Sequence, residues 1–109
     1  MQFIVIEDFR GRDPKAIYRR FRDRGRMAPE GFVVHHSWVA ADLSRCFMLV
    51  EADDVTLVQR WVVEWHDLVG FEIVPVATGK DTAAGLARIY DAPPRGVGVT
   101  LGDDPGAQA

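Results

Sequence analysis

The segments of this chain with strand character are apolar on both faces, and only two amphipathic helices are at hand to cover them. Phe3 and Val5 alternate with Ile4 and Ile6 near the start, and Phe71 and Ile73 adjoin Val74 and Val76 near residue 75. An antiparallel sheet with one wet face alternates apolar and polar side chains, and these runs do not. Two helices on one side leave the other side bare, so a second copy of the same sheet is the expected cover. At 109 residues and 48% hydrophobic, the chain holds enough apolar side chains for one core and too few for two.

Turn and cap residues order the elements. Residues 2–7 read as a strand, after which Asp13-Pro14 supplies an N-cap and a proline at the first helical position. Ile17, Tyr18 and Phe21 share one face of that helix, Gly25 lies near its end, and Pro29-Glu30-Gly31 turns the chain. Gly31–Ala40 and Arg45–Ala52 are strand-like and separated by four residues, close enough to pair as a hairpin. Asp53 or Asp54 caps a second helix whose stripe is Leu57, Val58, Trp61, Trp65 and Leu68, with Gly70 as its stop. Phe71–Thr78 is the last strand. The order β-α-β-β-α-β predicts an α+β, ferredoxin-like antiparallel sheet with both helices on one face. That topology puts the fourth strand at an edge, where Pro75 is tolerated without a donor. Face-to-face pairing of two such sheets makes a dimeric α/β barrel.

The opening Phe3-Ile4-Val5-Ile6-Glu7, Asp13-Pro14-Lys15, Arg24-Gly25-Arg26-Met27, Pro29-Glu30-Gly31, Ser37-Trp38, Arg45-Cys46-Phe47, Glu51-Ala52-Asp53-Asp54 and Phe71-Glu72-Ile73-Val74-Pro75-Val76 together resemble an uncharacterised bacterial family of short proteins. That family is a domain of unknown function similar to the dimeric α/β-barrel superfamily, and the resemblance spans about residues 2–78. It implies no activity for this chain. The wider superfamily includes cofactor-independent monooxygenases, haem-degrading enzymes, isomerases and ligand-sensing domains, among which fold analogy does not choose. The expected organisation is a ferredoxin-like α/β-barrel domain over 1–79 and a C-terminal extension over 80–109. In that extension Asp81–Tyr90 reads as a short helix with Leu86, Ile89 and Tyr90 as apolar contacts, followed by an irregular, Gly- and Pro-rich tail.

Residues with chemical potential are few. Cys46, the single cysteine, rules out an internal disulfide and lies within an apolar strand, where it reads as a buried small hydrophobe. His35 and His36 are adjacent on a strand, so alternation sends them to opposite faces, and His66 sits at the border of the second helix's stripe. No metal site is expected and no cofactor is assigned, with haem ligated by one histidine as the alternative. Candidate pocket residues are His36 and Trp38 on one strand face, Glu7 in phase with Phe3 and Val5, and Glu51 in phase with Phe47 and Leu49. A carboxyl among apolar groups holds its proton to higher pH and can exchange it with a small substrate. The opposing reading places Glu7, Glu51 and Glu72 at strand ends, paired with Arg45 and Arg10. Trp61 and Trp65 read as packing residues.

Charge is uneven along the chain. The net charge is −3, yet residues 10–26 hold eight basic and two acidic residues. Lys15, Arg19, Arg22 and Arg26 fall on one helical stripe, a candidate basic patch for an acidic partner or simply a solvated face. Nucleic acid is not expected as a partner, since no reading motif or stacking aromatic accompanies the stripe. No membrane span or secretory signal is apparent, and the expected location is cytoplasmic. The leading functional expectation is a homodimeric small-ligand binding or sensing module. The alternatives are a cofactor-independent monooxygenase or isomerase-like enzyme acting on a small organic substrate, and a protein-interaction module using the basic first helix.

Overall fold

A computed structural model describes residues 1–91. Residues Met1–Val76 form one compact unit, and a second unit begins at Ala77. The first unit holds β1 (Gln2–Asp8), α1 (Pro14–Arg24), β2 (Val33–Val39), β3 (Arg45–Glu51), α2 (Val55–Val63) and β4 (Gly70–Val76). The four strands make an antiparallel sheet in the order β2-β3-β1-β4, the ferredoxin-like arrangement expected of this element order. β1 is central, with Val5 opposite Met48 on one side and Ile73 on the other. Pro75 lies in the edge strand β4, paired through Phe3 to the centre of the sheet.

Both helices begin where their caps predict. The Asp13 carboxylate accepts the Lys15 amide at 2.9 Å and Pro14 occupies the first turn. Asp54, rather than Asp53, caps α2 by accepting the Thr56 amide at 2.8 Å. At the far end of α1 the Gly25 amide donates to the Phe21 carbonyl at 2.8 Å, with Gly25 at φ +68°, a conformation glycine adopts without a Cβ penalty. The regular part of α2 ends at Val63, earlier than the apolar stripe suggests. The chain keeps coiling through tighter turns, with the amides of Glu64 and Trp65 donating to the carbonyls of Trp61 and Val62, so Trp65 still reaches the core.

The covered face of the sheet carries Phe3, Val5, Met48 and Val50, all buried against Val58, Trp61 and Trp65. Phe32 stacks on Trp61 at 5.1 Å between ring centres, and Phe71 meets the same indole edge-on at 5.3 Å. A bidentate pair ties α1 to the turn after α2: the two Arg20 Nη atoms each stand 2.7 Å from an Asp67 oxygen, and Nη1 also donates to the Glu64 carbonyl. This places the guanidinium over the Trp65 ring.

Two details depart from simple alternation. A bulge interrupts β2, because Val34 pairs with Val50 while His36 pairs with Leu49, leaving His35 as the extra residue. His35 and His36 therefore do not part to opposite faces: the His35 Nε2 meets Glu51 Oε1 at 2.7 Å on the same side as His36. The apolar face of α1 is also only partly buried. Ile17 is in the core, but Tyr18 and Phe21 are each 45% exposed.

In the second unit, Gly79–Gly85 forms α3 and Ala87–Asp91 forms α4. The Thr78 hydroxyl accepts the Asp81 amide at 3.0 Å, and a break at Leu86 replaces the single helix expected over Asp81–Tyr90. The expected irregular tail lies outside the described residues. No helix among the described residues is long and apolar enough to cross a membrane.

Candidate functional site

A cavity of about 140 Å3 lies between the covered face of the sheet, α1 and the end of α2. The strands line it with Glu7, Ser37, Val39, Cys46 and Met48, α1 with Ile17, Tyr18 and Phe21, and α2 and its extension with Trp61 and Trp65. Its existence explains the partial exposure of Tyr18 and Phe21: they stand over a space rather than over packed side chains.

Glu7 is the chemically distinctive member. It continues the face of Phe3 and Val5, two fully buried residues, and its cross-strand neighbours are Cys46 and Phe71. Burial in these surroundings pushes the carboxyl up from its ordinary 4.5 to about 7, against smaller opposing pulls from the Cys46 thiol and the Arg26 charge. Near neutral pH the group is thus divided between acid and carboxylate. Burial likewise pushes the Cys46 thiol up to about 11, so it stays protonated and is no thiolate nucleophile. Ser37 Oγ lies 3.5 Å from its sulfur. Burial, with Cys46 and Glu7 adding to it, also raises the Tyr18 phenol.

Arg26 reaches the cavity through an unusual backbone arrangement. Its carbonyl accepts two indole N–H groups, from Trp61 at 3.1 Å and Trp65 at 2.9 Å. The flanking residues Gly25 and Met27 both have positive φ, +68° and +60°. For Met27 that conformation carries a cost, which the two hydrogen bonds help to hold in place. The Arg26 guanidinium sits 5.7 Å from the centre of the Phe21 ring, at the cavity edge, and among the described residues it forms no ion pair.

The four candidate pocket residues do not converge. Glu7 lines the cavity, whereas His36, Trp38 and Glu51 belong to the opposite, open face of the sheet. There the His36 and Trp38 rings stack at 5.3 Å, and Glu51 is engaged by His35. Neither Arg10 nor Arg45 pairs with a glutamate among the described residues; Arg10 instead binds Asp8, and the Arg45 guanidinium lies over Phe47. The basic stripe divides as well. Lys15, Arg19 and Arg22 are exposed, Arg22 being paired with Asp23, while Arg26 turns to the cavity.

Tyr18, Phe21, Arg26, Ser37 and Cys46 are cavity residues that sequence reasoning did not assign to a pocket. A usable signal was the pair Trp61 and Trp65, since two indoles facing a core each bring an N–H that needs an acceptor. Among the described residues no group of three or more His, Cys, Asp or Glu side chains is placed to hold a metal. The cavity lining includes no histidine, and its volume is well short of what a porphyrin requires, so these residues do not fit haem.

Comparison with known proteins adds one match. Residues 1–90 fit the family described as a domain of unknown function, DUF3303. No curated protein and no solved structure matches the chain. With most of its length matched, including all four strands of the sheet, the chain belongs to the DUF3303 family.

Proposed function

We propose that this protein is a homodimeric small-ligand binding module, with one binding cavity inside each protomer. The observation that carries the reading is a 140 Å3 space walled by aromatic and aliphatic side chains and holding one carboxyl and one guanidinium at fixed positions. Ligand sites are concave, largely apolar and supplied with a few polar groups that set orientation. A space of this size accepts a molecule about as large as benzene.

Support for the dimer comes from the open face. Ile4, Ile6, Phe47 and Leu49 are only partly covered, and Trp38 and Val74 are 55% and 38% exposed. Fully burying such a side chain contributes roughly 1.5–3 kcal/mol, and a second sheet is the cover that matches its shape. The self-association is tested by light scattering on size-exclusion eluates of the wild type and of Phe47→Glu. A dimer that the substitution converts to a folded monomer is expected; a wild-type monomer at all concentrations overturns the pairing.

A second reading is favoured by Glu7: an enzyme of the isomerase or cofactor-independent monooxygenase kind, with this carboxyl moving a proton. A group that exchanges its proton near pH 7 in apolar surroundings suits general acid-base work. Native mass spectrometry of the purified protein tests the binding reading directly. Retained small-molecule mass, lost in Val39→Phe where a ring is added to the cavity lining, is the expected result. Turnover of a captured ligand that Glu7→Gln abolishes without loss of binding would move the assignment to an enzyme.

A further inference from the structure

The cavity lining is mixed in character. It includes the apolar Trp61, Trp65, Phe9 and Met48, and its charged members are Glu7, at the end of β1, and Arg26, just after α1. Among the described residues, the one basic side chain in the lining is Arg26. Glu7 sits near enough to Arg26 to feel its charge yet makes no ion pair with it among the described residues. Both groups border the same open space.

We infer that the ligand is a small monocarboxylic acid bound as its anion, its carboxylate held by the Arg26 guanidinium and the Glu7 carboxyl, its apolar body against Trp61 and Trp65. This deepens the binding reading above and rests on it. The chemistry selects the anion over the alternatives. A cation would meet the Arg26 charge, and a neutral hydrocarbon would leave both polar groups of the site without a partner. A carboxylate takes charge-assisted hydrogen bonds from a guanidinium and accepts one from a carboxylic acid. Its negative charge also favours the protonated form of Glu7. The other titratable groups facing Glu7 are Cys46 from β3 and Tyr18 from α1, both of which stay neutral through this pH range, so Glu7 alone sets the pH response. Binding of the anion then falls as pH rises and Glu7 ionises.

The test is calorimetric titration of the full chain with three probes that share a phenyl ring and differ in charge, benzoate, benzamide and benzylamine, between pH 6 and pH 8. Benzoate is expected to bind tightest at pH 6 and to weaken about tenfold by pH 8, as the protonated fraction of Glu7 declines. Benzamide should show no such slope. Glu7→Gln is expected to keep benzoate binding and flatten its pH profile, and Arg26→Gln to lose the preference for benzoate over benzamide. Stronger binding of benzamide or benzylamine than of benzoate, or benzoate affinity that rises with pH, overturns the carboxylate assignment while leaving a binding cavity in place. Binding of none of the three overturns the binding reading itself. The wild-type comparison decides the matter even where a substituted chain fails to fold.

Discussion

The two faces of this sheet are built from the same kinds of residue and meet different fates. On the covered face, Phe3, Val5, Val50 and Trp61 are sealed by helices from their own chain. On the open face, Ile4, Ile6, Phe47, Leu49 and Trp38 are equally apolar, yet among the described residues the first four are only partly buried and Trp38 is exposed. The difference teaches that apolar character alone does not mark a core. What distinguishes the covered face is the arrival of helices, and where they fall short of complete contact, beneath Tyr18 and Phe21, they leave a cavity with an acid in it.

The comparison breaks most visibly on the covered side. Trp61→Ala removes a stacked ring, an indole hydrogen bond and part of the cavity wall, and should cost about 3–5 kcal/mol in urea unfolding, independent of protein concentration. The next effect is electrostatic. Glu7 gives up its proton near its ordinary 4.5 when unfolded and near 7 when folded, so below 4.5 both states hold it and above 7 neither does. Between those limits only the folded state binds the proton, and stability falls as pH rises, by about 3 kcal/mol at the outer bound. Glu7→Gln should lack that slope; an unchanged pH profile of unfolding would show that the carboxyl is solvated.

The open side should respond to concentration instead. If two copies pair there, apparent stability grows by roughly 1.4 kcal/mol per tenfold increase in protein concentration, and Phe47→Glu removes the dependence while leaving the protomer folded. The smallest effect belongs to Trp65→Phe, which keeps most of the ring and loses one N–H donor to the Arg26 carbonyl. It should cost about 1 kcal/mol. A loss as large as that of Trp61→Ala would mean the loop after α1 depends on both indoles together.

Much of the fold was legible because its signals are local. Asp13-Pro14 and Asp54 start helices through hydrogen bonds to amides two residues away, and the strand runs are continuous enough to be recognised singly. Strand order followed from the element order and the edge position of Pro75. The site was less legible. Glu7 could be placed in phase with Phe3 and Val5, but its partners come from four other segments, and periodicity does not reveal contacts between segments. The bulge at His35 defeated alternation on β2, because one extra residue shifts the side to which a side chain points. Arg26 was read as part of a helical stripe, yet the helix ends at Arg24 and the turn beyond it redirects the side chain.

The Arg26 carbonyl, hung between two indoles, has a practical corollary. The three tryptophans of the chain are divided across the sheet, Trp61 and Trp65 beside the cavity and Trp38 on the far side. The molecule therefore carries two optical channels of its own. Changes in emission from the inner pair follow what occupies the cavity and how firmly the loop is held, while a blue shift from the outer one follows loss of water from the open face. Single Trp→Phe replacements separate the two signals without any added dye.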